Sequence, residues 1–234
     1  YQATRSRLPS LLGGVVFGFG TFQMAHALGH LSIFGPFWLP LFALFLDRTL
    51  IDPKPTLALL TGVFFVLTCV TNGYLGAIAT VLLFAMVTVH LLQALLGPRG
   101  SRVFNRPSFV SWLRRAVPPL VAFATPLLLL VPVFLYASAD APIWPISQFE
   151  KYSADPIDYI TPIMLNPEFG KAVLSQRTIT YGDPVEHSLY LGIIPLLLSG
   201  YALIMNRSRL RVRYSLIALL FFVFSLGPIL HIAG

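Results

Sequence analysis

Residues 73–96 read GYLGAIATVLLFAMVTVHLLQALL and form the longest uncharged apolar run of the chain. About 20 apolar residues are enough for one helix to cross the roughly 30 Å hydrocarbon core of a bilayer. The whole 234-residue chain has this character, because 56% of its residues are hydrophobic and only 11% are charged. Its mean hydropathy is +0.77, whereas roughly a quarter of the residues in soluble domains carry charge. The composition therefore predicts an integral membrane protein.

Further apolar runs without Asp, Glu, Lys or Arg lie at about 10–29, 31–46, 56–71, 117–137, 188–205 and 214–230. We therefore predict an all-α, polytopic transmembrane helix bundle of about seven spans. Its parts are a five-span membrane bundle at 1–137, an extracytoplasmic loop at 138–187 with short interfacial helices, and two further spans at 188–234. Since the chain begins at Tyr1 and stops after an apolar run, we expect it to be the central part of a longer protein.

The positions of the charges predict the orientation of the spans. If the sides alternate, only Lys151, Lys171 and Arg177 of the 16 basic residues are on the outer side, together with every acidic residue except Asp47 and Asp52. Cytoplasmic loops of membrane proteins are enriched in Lys and Arg. The loop at 138–187 is therefore expected outside, and the net charge of +7 is interpreted as an orientation signal with no nucleic-acid partner.

Two local patterns make structural predictions inside and between the spans. Gly14 and Gly18 are four residues apart, and this spacing lets two membrane helices approach closely, so the first span is expected to pack within the bundle. Asn72-Gly73 is a strong turn former and predicts a tight hairpin between two spans.

The acidic residues of the outer loop have two interpretations. Asp155-Pro156-Ile157-Asp158 and Asp183-Pro-Val-Glu186 each place an acid at a helix N-cap and Pro at the first helical position, which predicts short helices. The same carboxylates are candidates for catalysis or ligand contact, because a carboxylate can accept a proton from a hydroxyl group. Asp155, Asp158 and Glu186 are the catalytic candidates.

Histidines form a second group of candidates. His26 and His30 are one helical turn apart and share a face, which is the spacing of a two-histidine metal site. A third ligand would have to come from Glu186, His187 or His231, so a divalent metal ion is one option. A hydrogen-bonded packing role and a contact to a polar ligand are the others.

The order of several short motifs resembles a known family. Ala25-His-x-x-Gly-His30 closes an early span, and Tyr-Ser-Ala-Asp leads to Asn-Pro-Glu-Phe-Gly within 152–170. Glu-His-x-x-Tyr-Leu-Gly-Ile-Ile-Pro-Leu follows at 186–196, and Ser-Leu-Gly-Pro-Ile-Leu-His at 225–231. This order is similar to that of bacterial polytopic proteins of the C-type glycosyltransferase superfamily, including the lipoteichoic-acid glycosylating membrane proteins.

The resemblance implies transfer of a sugar from a polyprenyl-phosphate carrier to an extracytoplasmic acceptor at the bacterial plasma membrane. The best-defined catalytic carboxylate of that family lies in the first outer loop, N-terminal to Tyr1, and no position here matches a catalytic motif. The later outer loop is expected to cover the donor and acceptor site. Substrate-binding candidates are Arg177 and Lys171, which suit a phosphate, and His26, His30, Tyr152 and His187.

Two other classes of function fit the composition. A transporter or flippase of a lipid-linked or polar solute would usually have ionisable residues within the membrane and repeated, broken helices. The spans here lack charge and no repeat is evident, but the prolines of the run at 117–137 favour broken helices. A non-catalytic membrane scaffold would use the outer loop as an interaction surface.

Overall fold

The computed structural model describes residues 7–27, 35–96, 109–138, 145, 153–160, 189–205 and 209–227. These residues are all-helical and contain no strand, which confirms the predicted all-α class. The α-helices are α1 (Arg7–Gly18), α2 (Thr21–Ala27), α3 (Trp38–Ile51), α4 (Pro55–Thr71), α5 (Gly73–Leu96), α6 (Phe109–Leu127), α7 (Leu130–Ser138), α8 (Ile193–Met205) and α9 (Arg209–Ser225). A short 3-10 helix spans Pro156–Tyr159.

The chain forms two compact units. The first unit comprises residues 1–34 and 143–234, and the second unit comprises residues 35–142. The predicted division at 137 and 187 into a five-span bundle, an outer loop and two further spans stays a prediction.

Helix α4 is the centre of the second unit and packs against α3, α5 and α6. Gly62 permits the close approach of α4 and α6, since a Cβ atom there would lie 2.6 Å from Cγ of Pro126 and would also overlap the carbonyl oxygen of Phe123. Aromatic rings fill the seam between α3 and α4, where the centroids of Phe42 and Phe65 are 5.4 Å apart. Large aromatic side chains contribute much of the packing energy of such a seam.

The buried threonines of the second unit donate to carbonyls of their own helix, and Oγ1 of Thr61 also lies 3.0 Å from Oγ1 of Thr49 in α3. Oγ1 of Thr61 donates to the carbonyl of Leu57 at 2.8 Å, and Oγ1 of Thr68 donates to that of Phe64 at 2.7 Å. Bonding of a hydroxyl to the carbonyl four residues earlier lets a polar side chain lie in an apolar helix at low cost.

The tight hairpin between α4 and α5 is confirmed. Asn72 ends α4 in an extended conformation, and its side-chain oxygen accepts a hydrogen bond from the backbone nitrogen of Tyr74 at 2.8 Å. The turn therefore uses the side chain of Asn72 as a cap for α5.

The structure does not support a seven-span bundle. Among the described residues, only one single helix, Gly73–Gln93, is long and apolar enough to cross a bilayer. Helices α1 and α2, which are bent by 41° relative to each other, would give a second span if the pair crossed the bilayer together. The other predicted runs contain shorter helices: α4 covers the whole run at 56–71 but has 17 residues, and helix ends fall inside the remaining runs. The run at 117–137, for instance, is divided at Leu128 and Leu129, between α6 and α7.

Candidate functional site

Residues 153–160, here called the aspartate turn, contain two of the predicted catalytic candidates. Asp155 is the N-cap of the 3-10 helix, since its carboxylate accepts a hydrogen bond from the backbone nitrogen of Ile157 at 3.0 Å. Pro156 occupies the first helical position, where the missing N–H costs nothing. The predicted short helix and the capping role of Asp155 are therefore confirmed.

The aspartate turn packs on the C-terminal end of α9. The backbone nitrogen of Ala154 donates to the carbonyl of Ser225 at 2.8 Å. The hydroxyl of Tyr159 donates to Oγ of Ser225 at 2.7 Å, and the Tyr159 ring lies 5.3 Å from that of Phe222. These contacts fix both the backbone and the side chains of the turn relative to α9.

Gly227 brings the chain after α9 against the start of the aspartate turn. Its φ is +66°, in the left-handed region that favours glycine. A Cβ atom at this position would lie 2.7 Å from Cβ of Ser153 and would overlap its hydroxyl. Only a residue without a side chain fits here while the turn stays in place.

Both carboxylates of the aspartate turn are buried, with 5% of Asp155 and 2% of Asp158 exposed. Removing a carboxylate from water is costly unless polar groups or charges compensate it. Asp155 caps the 3-10 helix, and Asp158 lies in the first turn of the same helix. Both buried carboxylates stay candidates for chemistry.

A chain of hydrogen bonds joins the aspartate turn to α2. The backbone nitrogen of Leu191 donates to the carbonyl of Tyr159 at 3.2 Å. The carbonyl of the neighbouring Tyr190 accepts a hydrogen bond from the hydroxyl of Thr21, the first residue of α2. The candidate residues of the outer loop and those of the first predicted span thus belong to one connected structure.

Helix α2 carries two buried polar side chains, Gln23 and His26, on one face. None of the His26 side chain is exposed, and its Nδ1 lies 2.8 Å from the carbonyl oxygen of Phe22. Gln23 is 8% exposed, and its Oε1 is buried without a hydrogen-bond partner among the described residues. Sequence analysis singled out His26 and missed Gln23, although an amide one helical turn before a histidine in an apolar run is a usable signal.

The opposite end of α9 is basic. Nη1 of Arg211 donates to the carbonyl of Leu203 near the end of α8 at 2.5 Å, which supplies a donor to a terminal carbonyl of that helix. Arg213 is buried. Because Arg213 and Ser225 are 12 positions apart, the basic end and the aspartate turn are separated by about 18 Å along α9.

The remaining candidates lie outside the described residues: Glu186, Arg177, Lys171, His30, Tyr152, His187 and His231. Within the described part of the chain, no three His, Cys, Asp or Glu side chains are close enough to hold a metal ion. The pairing of His26 with His30 as metal ligands stays a hypothesis. Asp155, Asp158 and, through Thr21 and Tyr190, the helix of His26 are the candidates that the structure connects.

No family model, curated protein or solved structure matches this chain.

Proposed function

We propose that this chain is the membrane-embedded part of a glycosyltransferase-like protein that transfers a sugar from a polyprenyl-phosphate carrier to an extracytoplasmic acceptor. The motif order of the C-type glycosyltransferases suggests the reaction. The observation that carries the proposal is the aspartate turn, in which two buried carboxylates are fixed against the end of a helix. Such burial and fixation are typical of groups that contact a substrate in a set geometry.

Embedding in a bilayer is supported by the apolar surface of the first unit. Helices α1 and α8 have no buried residue, and their leucines, isoleucines and valines are largely exposed. Ile204, for example, is 78% exposed. Soluble monomers rarely expose continuous apolar surface of this extent. Lipid is therefore the proposed environment of these helices, and a polytopic bundle of about seven spans is the proposed form of the protein in it.

The charge distribution along α9 supports the proposed orientation. The helix has Arg209, Arg211 and Arg213 at its start and the acidic turn at its end. Its 17 residues correspond to about 26 Å of helix, which separates the first arginine from the turn. With the arginines on the cytoplasmic side, the aspartate turn faces the side on which lipid-borne sugars are used.

The proposed reaction is a displacement at the anomeric carbon of the sugar. A carboxylate takes the proton of the acceptor hydroxyl, whose oxygen bonds the anomeric carbon while the bond from that carbon to the phosphate oxygen breaks. The electron pair stays on the polyprenyl phosphate, which a cation stabilises. We assign the proton acceptor to a carboxylate outside this chain, a contact to sugar or acceptor to Asp158, and the phosphate contacts to Arg177 and Lys171.

The test uses the complete protein in proteoliposomes with a polyprenyl-phosphate sugar and an acceptor, with product formation followed by mass spectrometry. Asp158→Asn and Arg177→Ala should each lower the rate by tenfold to a hundredfold, about the value of one hydrogen bond to a charged group. Asp155→Asn is the matched control, because Asn caps a helix as well as Asp does. It should keep the rate within about twofold. Wild-type rates in both Asp158→Asn and Arg177→Ala would remove this loop from the active site.

A carrier for a lipid-linked or polar solute is the second candidate. It is favoured by the bend of 41° between α1 and α2 and by the buried Gln23 and His26 directly after it, because broken helices with polar groups form the binding sites of many transporters. The same proteoliposomes distinguish the two functions. A carrier moves the labelled solute across the bilayer without forming product, whereas a transferase forms product on one side.

A further inference from the structure

Gln23 is the most unusual polar residue among the described residues. Its side chain is more than nine-tenths buried, and its Oε1 has no hydrogen-bond partner within the described part of the chain. A buried amide oxygen without a partner loses its hydrogen bonds to water and gains none in return. Native structures contain few such groups, and each calls for a physical reason, such as a catalytic role or a bound water or ion.

The surroundings of Gln23 restrict the chemistry of its partner. Residues 7–27 contain no Asp or Glu, so nothing in α1 or α2 would compensate a buried cation. A phosphate offers only acceptor oxygens to a carbonyl oxygen and cannot donate to it. A hydroxyl group is neutral and can both donate to the amide oxygen and accept from the amide nitrogen.

The neighbours of Gln23 place this amide in the connected structure of the candidate site. Thr21, two residues earlier, donates to the carbonyl of Tyr190, which adjoins the Leu191 amide bound to the aspartate turn. His26, three residues later, lies on the same face of α2 as Gln23. These hydrogen bonds connect the helix of Gln23 to the aspartate turn through the residues at 190 and 191.

We infer that Gln23 is a binding residue for a hydroxyl-bearing ligand, which under the proposed function is the sugar of the lipid carrier. This inference rests on the proposed function for the identity of the ligand. It goes beyond that function by assigning the recognition of a sugar hydroxyl to α2.

The inference is tested with Gln23→Leu and Gln23→Met in the complete protein, since the second variant keeps the length and flexibility of the side chain. The thermal midpoint without ligand should stay the same or rise, because an unsatisfied amide is replaced by an apolar group. Affinity for a polyprenyl-phosphate hexose should fall about tenfold, and affinity for polyprenyl phosphate without a sugar should stay within about twofold. Thr61→Val, which removes a buried hydroxyl of the second unit, is the matched control and should change neither affinity.

Other outcomes overturn either the inference or the function on which it rests. A marked fall of the thermal midpoint in both variants means that the fold uses the amide, and the inference fails. Equal affinities of wild type and variants for the hexose lipid mean that water satisfies the amide, and the inference fails again. If the wild-type protein binds the hexose lipid no better than the lipid without a sugar, the proposed sugar donor falls, and the assignment to Gln23 falls with it.

Discussion

The two compact units bury different kinds of polar side chain. Among the described residues of the second unit, Thr61 and Thr68 are the only buried polar or charged side chains, and both hydroxyls donate to carbonyls of their own helix. The first unit buries a larger and more reactive set: Gln23, His26, Ser153, Asp155, Asp158 and Arg213. Buried amides, imidazoles and carboxylates cost more to place in a fold than threonines do. The described part of the second unit is therefore a packed helical core, and we place the proposed chemistry in the first unit.

The largest effect is expected where the packing of the second unit is closest. In Gly62→Ala, the new methyl group would overlap the backbone of Phe123 and the ring of Pro126, and neither can rotate away. Helices α4 and α6 would have to separate, which should lower the free energy of unfolding by about 3 kcal/mol, the upper part of the range for overpacking. The measurement is the denaturation midpoint in a fixed detergent.

Gly13→Ala is the control for Gly62→Ala, since no atom of the described residues lies within 4 Å of a Cβ atom at Gly13. Alanine at that position should be neutral or stabilising by up to about 1 kcal/mol through its helix propensity. Equal midpoints for the two variants would contradict the close packing of α4 and α6.

The second effect concerns the seam between the aspartate turn and the end of α9. Gly227→Ala forces a side chain into the left-handed region and against Ser153. We expect the free energy of unfolding to fall by about 2 kcal/mol, of which roughly 1 kcal/mol comes from the backbone conformation. The thermal midpoints of variant and wild type measure this fall.

A double variant separates the steric part of this loss from the conformational part. Adding Ser153→Gly to Gly227→Ala removes the clashing side chain and should restore about half of the loss after correction for Ser153→Gly alone. Strict additivity of the two substitutions would show that the seam is absent.

The sequence was a sufficient guide to features that depend on neighbours along the chain. The cap at Asp155 and the hairpin at Asn72 were both predictable, because capping and turn formation need only a few adjacent residues. The all-α class followed from the length of the uncharged runs. Helix lengths within those runs did not follow, and for this reason the predicted seven spans exceed what the helices of the structure support.

Contacts between distant residues could not be predicted in the same way. The Gly14 and Gly18 pair suggested close helix packing, yet no atom of the described residues lies within 4 Å of an added Cβ atom at either position. Close packing was found instead at Gly62, whose small partner four residues earlier is Ala58 and not a second glycine. The hydrogen bond between Tyr159 and Ser225 likewise joins residues that are 66 positions apart. Only the tertiary arrangement determines which glycine or carboxylate acquires a neighbour.

The smallest effect is expected for a buried hydroxyl of the second unit. Thr68→Val preserves the shape of the side chain and removes a hydroxyl whose acceptor, the carbonyl of Phe64, lies four residues earlier in the same helix. That carbonyl keeps its backbone hydrogen bond, so the change in unfolding free energy should stay within about 0.5 kcal/mol.

Ser225→Ala in the first unit makes this small effect informative. Oγ of Ser225 accepts the hydroxyl proton of Tyr159 and donates to the carbonyl of Phe222 at 2.6 Å. Its removal leaves the Tyr159 hydroxyl without this acceptor, which should cost about 1–2 kcal/mol. Denaturation midpoints of the two variants, measured side by side, compare a hydroxyl that serves only its own helix with one that joins distant segments. If Thr68→Val costs as much as Ser225→Ala, the hydroxyl of Thr68 also holds separate helices together, as the contact of Thr61 with Thr49 does, and the contrast between these two hydroxyls loses its physical basis.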